Sequence, residues 1–545
     1  MKKETLLLGA LSLLCTACHT GTDAIKADSH CPTVPILTHR AAHPVCQVQL
    51  HSRQPGTAFT LEQIDLSLKG TTRLQDIKSL RLFAADARGR MDTSRPLTPP
   101  LPPAQTLHIR PDSLLRDTAA TLWIAVQLND SADLTHRYAI ACKSVRTSSG
   151  RVQLPKRQEA PLRAGVAVRQ HGQDGVHTSR IPGLATSRKG TLLAIYDARY
   201  ESARDLQGHI DICLNRSTDG GRTWKPMQVV LDMGQWGGLP EKYNGVSDAN
   251  ILVDEKTGDI YVAGLWMHGV LDPQTGKWQE GLTEKSKQWN HQWRKNGSQP
   301  GFGVKETSQF LITKSTDDGL TWGPPVNITR QCKRPEWWLY APAPGHGITL
   351  ADGTLVIPTQ GRDRNGTPFS NITWSKDNGR TWTASQPACD NVTECMAAEL
   401  SDGTIMLNMR DNRNGKKNPE NGRHVCITDN LGATWTEHPT SRKALIEPVC
   451  MGSLHRHDYH RNGKKHSLLL FANPDSRTAR NRITLKVSYD DGNTWPEEKK
   501  ILLDEYGGFG YSCITSVDEN TIGILYEGSQ CQLVFQQIPL SDLLP

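Results

Sequence analysis

Short hydrophobic runs, rich in β-branched side chains, recur along the chain between polar segments that contain glycine. No long segment has the 3.6-residue period of an amphipathic helix, so the pattern predicts β-strands nearly throughout. In the C-terminal two thirds, the runs repeat at a similar spacing and cover residues 191–195, 260–264, 354–358, 404–409, 467–471 and 522–526.

A phrase of eight residues, Ser/Thr-x-Asp/Asn-x-Gly-x-Thr-Trp, occurs five times among these runs, which makes it an internal repeat. Its Asp can accept hydrogen bonds from backbone amides ahead of it, its Gly can take positive φ, and Thr-Trp can start a strand. Each copy therefore predicts a tight β-hairpin with the Trp packed beneath it. The fourth copy carries Asn430 where the others carry Asp219, Asp317, Asp377 and Asp490, which keeps the acceptor oxygen.

The spacing of the copies indicates the architecture. Their tryptophans, Trp224, Trp322, Trp382, Trp435 and Trp495, are separated by 98, 60, 53 and 60 residues. A period of about 50 to 60 residues is typical of four-stranded propeller blades, and the first, nearly doubled interval leaves room for one blade without the phrase. We therefore expect an all-β fold with a six-bladed β-propeller domain over residues 161–545.

The front of the chain predicts a second domain. Between residues 30 and 160, strand-like runs at 59–61, 80–84, 122–127 and 138–142 are interrupted by a proline-rich stretch at 97–103. This pattern favours a β-sandwich, either carbohydrate-binding or purely structural. The polar segment 156–161 is the expected junction.

Residues 1–18 have the features of an export signal. Met1-Lys-Lys precedes a short apolar stretch, and Cys15-Thr-Ala-Cys18 resembles a bacterial lipoprotein cleavage box with Cys18 as the lipidated residue. Ordinary signal cleavage is the alternative. No later stretch approaches the roughly 18 apolar residues of a membrane span, so we expect an exported protein of the periplasm, or one anchored to the outer membrane only by lipid.

Charge and cysteine content narrow the possible functions. The 63 Lys and Arg against 56 Asp and Glu give a net charge of +7 without any basic tract, which argues against a nucleic-acid partner. Of the 13 cysteines, those outside the signal lack metal-type spacing, as do the histidines. Buried thiols with one or two disulfides are expected, and no metal or cofactor.

The motif Arg180-Ile-Pro182 stands just ahead of the repeats, and this combination resembles the bacterial sialidases (neuraminidases) that retain anomeric configuration. The resemblance covers roughly residues 165–540, with the motifs in the family's order. It implies an exo-α-sialidase that hydrolyses terminal α-linked sialic acids of glycoproteins, glycolipids and oligosaccharides through a covalent tyrosyl intermediate.

The resemblance implies a set of arginines for the substrate carboxylate. The family's three arginines match Arg180, Arg410 and Arg480, with Arg477 and Arg482 as competitors for the third position. Guanidinium groups bind a carboxylate bidentately, which lysine cannot do. Arg199 is expected near the carboxylate or the sugar's O4, and Glu527 is expected to form an ion pair with Arg180.

The catalytic groups are also implied by the resemblance. Tyr511 matches the nucleophile, Glu394 matches its base, with Glu399 as competitor, and Asp205 matches the general acid/base, with Glu201 as rival. A phenol of pKa about 10 needs such a base near neutral pH. Asp205 is expected to have a raised pKa and access to the cleft.

Further residues are weaker candidates for the cleft. Asp248 and Gln360 fall where relatives have pocket residues. An aromatic rim for the leaving group is expected from His291, Trp293, Trp337 and Trp338, although tryptophans of a propeller are more often core residues.

Three other functions remain possible from the sequence. The intermediate could pass to another sugar or to a hydroxyl of the same sialic acid, which would make the protein a trans-sialidase or an intramolecular trans-sialidase. A non-catalytic sialic-acid-binding propeller needs the arginines but not Asp205, Glu394 and Tyr511. A purely structural scaffold does not account for the arginines.

Overall fold

A computed structural model describes residues 24–112, 115–155, 160–415 and 420–545. The expected signal with Cys18, and most of the expected junction, lie outside these residues. The described chain is all-β, and its helices are α1 (Thr329–Cys332) and six 3₁₀ turns: Leu74–Asp76, Gln173–Gly175, Trp236–Gly238, Glu241–Tyr243, Glu497–Lys499 and Leu540–Asp542. None of the described helices is long and apolar enough to cross a membrane.

The N-terminal strands form two antiparallel sheets. Their bounds are β1 Ile25–His30, β2 Ile36–Leu37, β3 His43–Ser52, β4 Phe59–Ser67, β5 Ile77–Ala85, β6 Met91–Pro96, β7 Thr106–Ile109, β8 Arg116–Asp117, β9 Ala119–Leu128, β10 Arg137–Tyr138, β11 Ala141–Thr147 and β12 Gly150–Gln153. One sheet has the order β1-β3-β9-β5-β6 and the other the order β12-β11-β4-β7, with β8 also paired to β4. Alternating buried residues such as Val48 and Leu50 belong to their core.

The remaining strands begin at residue 162. Their bounds are β13 Leu162–Arg169, β14 Thr178–Thr186, β15 Leu192–Arg199, β16 Ile210–Ser217, β17 Gln228–Leu231, β18 Val246–Val253, β19 Ile260–Trp266, β20 Gln309–Ser315, β21 Val326–Asn327, β22 Leu339–Pro342, β23 Gly345–His346, β24 Ile348–Thr349, β25 Leu355–Arg362, β26 Pro368–Ser375, β27 Thr383–Ala384, β28 Cys389–Asp390, β29 Val392–Glu399, β30 Ile405–Asp411, β31 His424–Thr428, β32 Thr436–Glu437, β33 Ser453–Arg461, β34 Lys464–Pro474, β35 Ile483–Ser488, β36 Ile501–Asp504, β37 Ser512–Asp518, β38 Thr521–Tyr526 and β39 Leu533–Pro539.

These strands form six sheets of four to six strands. The orders are β14-β15-β16-β17, β21-β20-β19-β18-β23, β22-β25-β26-β27, β29-β30-β31-β32, β33-β34-β35-β36 and β10-β13-β39-β38-β37. The hydrophobic runs of the sequence fall on β15, β19, β25, β30, β34 and β38, one in each sheet. Their residues are buried on both faces, because each sheet packs between two others.

Two N-terminal strands pair with the C-terminal part of the chain. β10 pairs with β13 in antiparallel fashion, and β2 pairs with β13 in parallel. The expected strand at 138–142 is therefore two strands in different sheets: Tyr138 pairs with Leu162, whereas Cys142 pairs with Leu66.

The five repeated phrases are hairpin turns, as predicted. In the third copy, Ser375 Oγ donates to Asp377 Oδ1 at 2.8 Å, and Thr381 donates its N–H and hydroxyl to Asp377 at 2.9 and 2.7 Å. Gly379 has φ 73°, and Trp382 is buried beneath the turn. Asn430 keeps the corresponding bond from Thr434 N at 3.0 Å, so the substitution preserves the turn.

The cysteines divide into one disulfide and a set of thiols. Among the described residues, Cys31 and Cys46 form the disulfide, and most of the free cysteines are buried. In the same part of the chain, no group of three or more His, Cys, Asp and Glu side chains could hold a metal ion.

Candidate active site

Three strands break register where they carry candidate residues. The pairing shifts between Arg180 and Gly183 in β14, between Ser247 and Asn250 in β18, and between Val392 and Cys395 in β29. Such bulges turn side chains out of the normal alternation and are common beside active sites. The three bulges hold Arg180, Asp248 and Glu394. Ile181 and Asp248 have φ of 60° and 58°, a conformation that is strained for side chains of this kind.

The Arg180 guanidinium is held by a buried carboxylate. Its Nε and Nη2 donate to Glu527 at 2.9 and 3.3 Å, and Glu527 also accepts from the backbone N–H groups of Ile181 and Tyr511 at 3.1 and 2.9 Å. The expected Arg180–Glu527 ion pair is therefore present. Burial lowers the pKa of Arg180, but the Glu527 charge reverses this effect and the pKa is raised. The Phe509 ring covers the guanidinium, with its centroid 4.2 Å from Cζ.

Tyr511, Glu394 and Arg410 form a connected cluster. The Tyr511 hydroxyl donates to Glu394 Oε1, while Arg410 Nη1 donates to Glu394 Oε2 at 2.7 Å and to the Tyr511 oxygen at 3.2 Å. Burial and then the Glu394 charge raise the pKa of Tyr511 well above its usual value, although Arg410 and Arg480 oppose this. Tyr511 is thus a neutral phenol whose proton already points at a carboxylate.

Arg480 lies in the loop between β34 and β35. Its Nη1 donates to the Phe509 carbonyl at 3.0 Å and its Nη2 to the Val449 carbonyl at 2.9 Å. Its Cζ lies 5.6 Å from the centroid of the Tyr511 ring. The three arginines of the sequence analysis therefore converge on Tyr511, because Arg180 Cζ is 5.1 Å from the same ring.

Asp205 lies in the loop after β15, and its side chain is 47% exposed. Arg199 Nη2 donates to its Oδ1 at 2.7 Å, and His291 Nε2 lies 3.5 Å from its Oδ2. Since His291 Nδ1 accepts from the Trp293 backbone N–H, the proton of the neutral ring is on Nε2. The prediction of a raised pKa for Asp205 is wrong. Burial would raise the pKa of Asp205, but His291, Arg199 and Arg180 together lower it.

Arg199 is placed differently from the expectation. Its side chain is 1% exposed and donates to Asp197 at 3.0 Å, to Asp205 and to the Ala203 carbonyl, so it positions Asp205 and presents almost no surface to a ligand. Asp197, which sequence reasoning missed, pairs with Arg180 in the β14–β15 ladder. Burial raises the pKa of Asp197 to about 6, although Arg199 opposes this.

Asp248 and Gln360 form a buried pair. Gln360 Nε2 donates to Asp248 Oδ2 at 3.2 Å and to the Pro342 carbonyl at 3.3 Å. Burial, together with the charges of Asp197, Asp205 and Glu394, raises the pKa of Asp248 well above its ordinary value. A protonated Asp248 can donate a hydrogen bond as well as accept one.

The structure separates two of the candidates from a competitor. Glu399 lies at the far end of β29 from Glu394 and accepts from the Ala351 N–H at 2.9 Å. Arg477 donates to the Asn421 carbonyl and has no contact with the Tyr511 ring.

One of the residues expected in the aromatic rim lies in the core. Trp337 is 3% exposed and packs on Tyr340 and Phe369, with ring centroids 5.0 and 4.6 Å away, so it is a core residue and its assignment to the rim is wrong. Trp293, two residues after His291, packs against a buried cluster formed by Leu206, Leu265, Leu339 and Ala341. Trp338 is half-buried, and its Nε1 donates to the Arg364 carbonyl.

Sequence reasoning also missed the groups that support the arginines. Phe509 covers Arg180, and the carbonyls of Phe509 and Val449 hold Arg480. Backbone acceptors leave no signal in a sequence. The position of Phe509, two residues before Tyr511, was the one available indication.

Comparison with known proteins places the chain among sialidases. The profile described as "BNR repeat-like domain" matches residues 181–512, and that of the "N-terminal domain of BNR-repeat neuraminidase" matches residues 23–101. A sialidase of Bacteroides fragilis is 37% identical, with all of both chains aligned. A sialidase of Micromonospora viridifaciens is 31% identical over 66% of this chain and 51% of its own.

A solved structure extends the similarity to three dimensions. Hadza microbial sialidase Hz136 superposes with a TM-score of 0.84 at 35% identity, over 95% of this chain and all of that one. The match covers both the N-terminal sheets and the six later sheets.

Proposed function

Since this chain belongs to the BNR-repeat neuraminidase family, we propose that it is an exo-α-sialidase, a glycoside hydrolase that removes terminal α-linked sialic acids from glycoproteins, glycolipids and oligosaccharides. The observation that carries the proposal is the contact of Tyr511 with Glu394 and Arg410 inside the group of three arginines. A binding protein would need the arginines, but a neutral phenol hydrogen-bonded to a buried carboxylate is suited to nucleophilic attack.

We propose that the six later sheets are the blades of a β-propeller and that the two N-terminal sheets form an accessory sandwich. In support, β14 contacts β18, β18 contacts β25, and the series continues through β29, β33 and β37 back to β14. The pairing of β13 with β39 joins the start of this region to its end. Because β2 and β10 pair with β13 of the same sheet, strand hydrogen bonds join the two units in addition to the chain that connects them.

The arginines would bind the substrate carboxylate. Arg180, Arg410 and Arg480 approach Tyr511 from different strands and loops, and their orientations are set by Glu527, Glu394 and two carbonyls. A sialic acid carries its carboxylate on the anomeric carbon. Binding it at the arginines places that carbon next to the Tyr511 oxygen.

In the first step the Tyr511 oxygen attacks the anomeric carbon while Glu394 takes the phenolic proton. The bond to the leaving oxygen breaks and that oxygen receives a proton from Asp205. A neutral phenol avoids the repulsion that an attacking carboxylate would meet at this carbon. The product is a tyrosyl glycoside with inverted configuration.

In the second step the ionised Asp205 removes a proton from water, which attacks the same carbon, and Tyr511 leaves with the proton from Glu394. Two inversions give overall retention. Asp205 begins ionised in the structure, so substrate binding must favour its protonated form. The substrate carboxylate raises the pKa of Asp205 by offsetting the positive charge of Arg180. The leaving oxygen raises it further by taking the place of His291 Nε2, which lies 3.5 Å from Asp205 Oδ2.

We also propose export and lipidation at Cys18, which would tether the protein to a bacterial membrane by its N-terminus. The support is the order of basic, apolar and small residues before Cys18. Mass spectrometry of the membrane fraction, with Cys18→Ala as the comparison, tests this.

The catalytic proposal is tested with the 4-methylumbelliferyl α-glycoside of sialic acid, with the sugar product followed by NMR. The parent should release the fluorophore and the α-anomer first, and Tyr511→Phe should lose about a thousandfold or more in kcat. Tyr506→Phe, in the same loop, is the matched control and should keep full activity. An anhydro product would indicate an intramolecular trans-sialidase, and binding without turnover would indicate a lectin.

A further inference from the structure

We propose that Arg204, Trp289 and Arg294 form a subsite for a leaving group that carries its own negative charge. This inference rests on the proposed sialidase function and extends it to a substrate class. The anion would be a carboxylate, as on a second sialic acid, or a sulfate ester on the leaving sugar.

Both arginines lie over the same indole ring. Arg204 Cζ is 5.2 Å from the centroid of the Trp289 ring, and Arg294 Cζ is 5.8 Å from it. Planar guanidinium groups stack on indole and keep their N–H edges free for a ligand. The ring thus contacts two cations from separate loops.

The three residues lie on the leaving-group side of the cleft. Arg204 directly precedes Asp205, and the His291 ring, which contacts Asp205, lies 6.0 Å from the Trp289 ring at 86°. The buried Gln207 fixes the two loops together, because it donates to the Gly269 carbonyl and accepts from the Asn290 N–H. Since Asp205 protonates the glycosidic oxygen, the leaving group must begin beside this cluster.

The charges of the cluster are not neutralised within the described chain. Both arginines are exposed, and neither forms a salt bridge with a carboxylate of the described residues. The Trp289 indole N–H is buried and has no acceptor there either. By contrast, the nearby Arg199 donates to the carboxylates of Asp197 and Asp205.

A neutral leaving group such as lactose offers these two cations no opposite charge. A carboxylate or sulfate can accept from guanidinium groups, and such charge-assisted bonds are stronger than neutral ones. The subsite is separate from Arg180, Arg410 and Arg480, which bind the sialic acid that is removed. A dimer of sialic acids in α2,8 linkage would therefore place one carboxylate in each site.

The test compares kcat/KM for three substrates: α2,3-sialyllactose, an α2,8-linked sialic acid dimer and a sulfated α2,3-sialyl-N-acetyllactosamine. In the parent the anionic leaving groups should be preferred, and 0.5 M NaCl should reduce that preference. Arg204→Gln and Arg294→Gln should each lower the ratio of dimer to sialyllactose by about tenfold. Lys287→Gln removes a charge from the same segment without an indole contact in the described structure, and the ratio should not change.

The outcomes separate the two levels of the proposal. If the arginine variants lose kcat/KM relative to sialyllactose only for the dimer, the subsite binds a carboxylate. If they lose it for the sulfated substrate as well, the subsite binds anions in general. Equal loss on every substrate, or an unchanged ratio in both arginine variants, overturns the subsite and leaves the sialidase function intact. Failure of the parent on all three substrates, and on the aryl glycoside, would instead refute the sialidase proposal itself.

Discussion

The Tyr511 hydroxyl donates its hydrogen bond to Glu394, a residue 117 positions earlier in the chain. Glu394 is in turn bound by Arg410 at 2.7 Å, so one oxygen of the carboxylate faces a cation and the other faces the phenol. The oxygen that faces the phenol is therefore placed to accept the phenolic proton. This geometry supports Glu394, and not Glu399, for the proposed role of base.

Glu394→Gln should lower kcat by about 100-fold or more, because an amide cannot accept the proton of Tyr511. Glu399→Gln is the matched change on the same strand, and its kcat should stay within about twofold of that of the parent. Steady-state kinetics with the aryl sialoside measures both. A larger loss in Glu399→Gln than in Glu394→Gln would reverse the assignment.

Asp205→Ala should affect substrates according to their leaving groups. Lactose needs a proton as it departs, so kcat for sialyllactose should fall by about 100-fold or more, whereas the acidic umbelliferone should be affected much less in the first step. The measurement is kcat/KM for the two substrates side by side. Glu201→Gln, the rival in the same loop, serves as control, and the assignment fails if it reproduces this selectivity.

The pH profile should respond to His291. The charged or titratable groups that act on Asp205 are Arg199, Arg180, His291, Asp197 and Asp248. The His291 hydrogen bond lowers the pKa of Asp205, so His291→Leu should raise that pKa. An acid that must be protonated then stays active to higher pH, and the alkaline limb of kcat/KM should move up by roughly one unit. His291→Gln keeps an N–H donor and should shift the limb less; a shift to lower pH would contradict the role.

Much of the fold followed from local patterns. The five turns, including the one with Asn430, and the six buried runs depend on residues close together in the chain, where turn chemistry and hydrophobic pattern apply directly. The two predicted domains are less separate at residue 160 than expected, because β2 and β10 of the N-terminal part pair with β13, which is distant from them in the sequence. Composition carries no information about such pairings.

In the site, too, motif positions could be predicted from the sequence, whereas contacts between distant residues could not. Motif positions identified Arg180, Arg410, Arg480, Glu394 and Tyr511, and the structure brings them together. The lowered pKa of Asp205 depends on His291, which approaches from another loop, and the buried Arg199 donates to Asp197 of its own strand. Trp337 was expected at the rim together with Trp338, yet its ring packs in the core against Tyr340 and Phe369.

Glu527→Gln should weaken both stability and substrate binding. Glu527 is 1% exposed and accepts from Arg180 and from the N–H groups of Ile181 and Tyr511. Removing its charge leaves Arg180 buried without a counter-ion, which should lower the free energy of unfolding by roughly 3 kcal/mol. KM should rise as the guanidinium loses its orientation. Thermal unfolding and kinetics measure the two effects, with the exposed Glu519→Gln as control. An unchanged melting temperature and KM would show that the pair has no such role.

The repeated turns allow a test of stability that is independent of the active site. In the third copy Asp377 accepts from Ser375 and twice from Thr381, so Asp377→Ala should lower the free energy of unfolding by about 1 to 3 kcal/mol without changing KM. The hydrogen bonds of Thr381 lower the pKa of Asp377 to about 2, against the small opposing effect of burial. The contribution of Asp377 is therefore complete above pH 4 and is lost as the pH falls toward 2.

The fourth copy is the natural control for that change. Asn430 accepts from Thr434 N as the aspartates do and donates its amide to the Thr434 hydroxyl at 2.8 Å. Asn430→Asp reverses only the direction of the second bond, so stability at pH 7 should change by less than about 0.5 kcal/mol. Chemical denaturation of the two variants beside the parent measures both effects. If Asn430→Asp is as destabilising as Asp377→Ala, the acceptor oxygen is not what stabilises these turns.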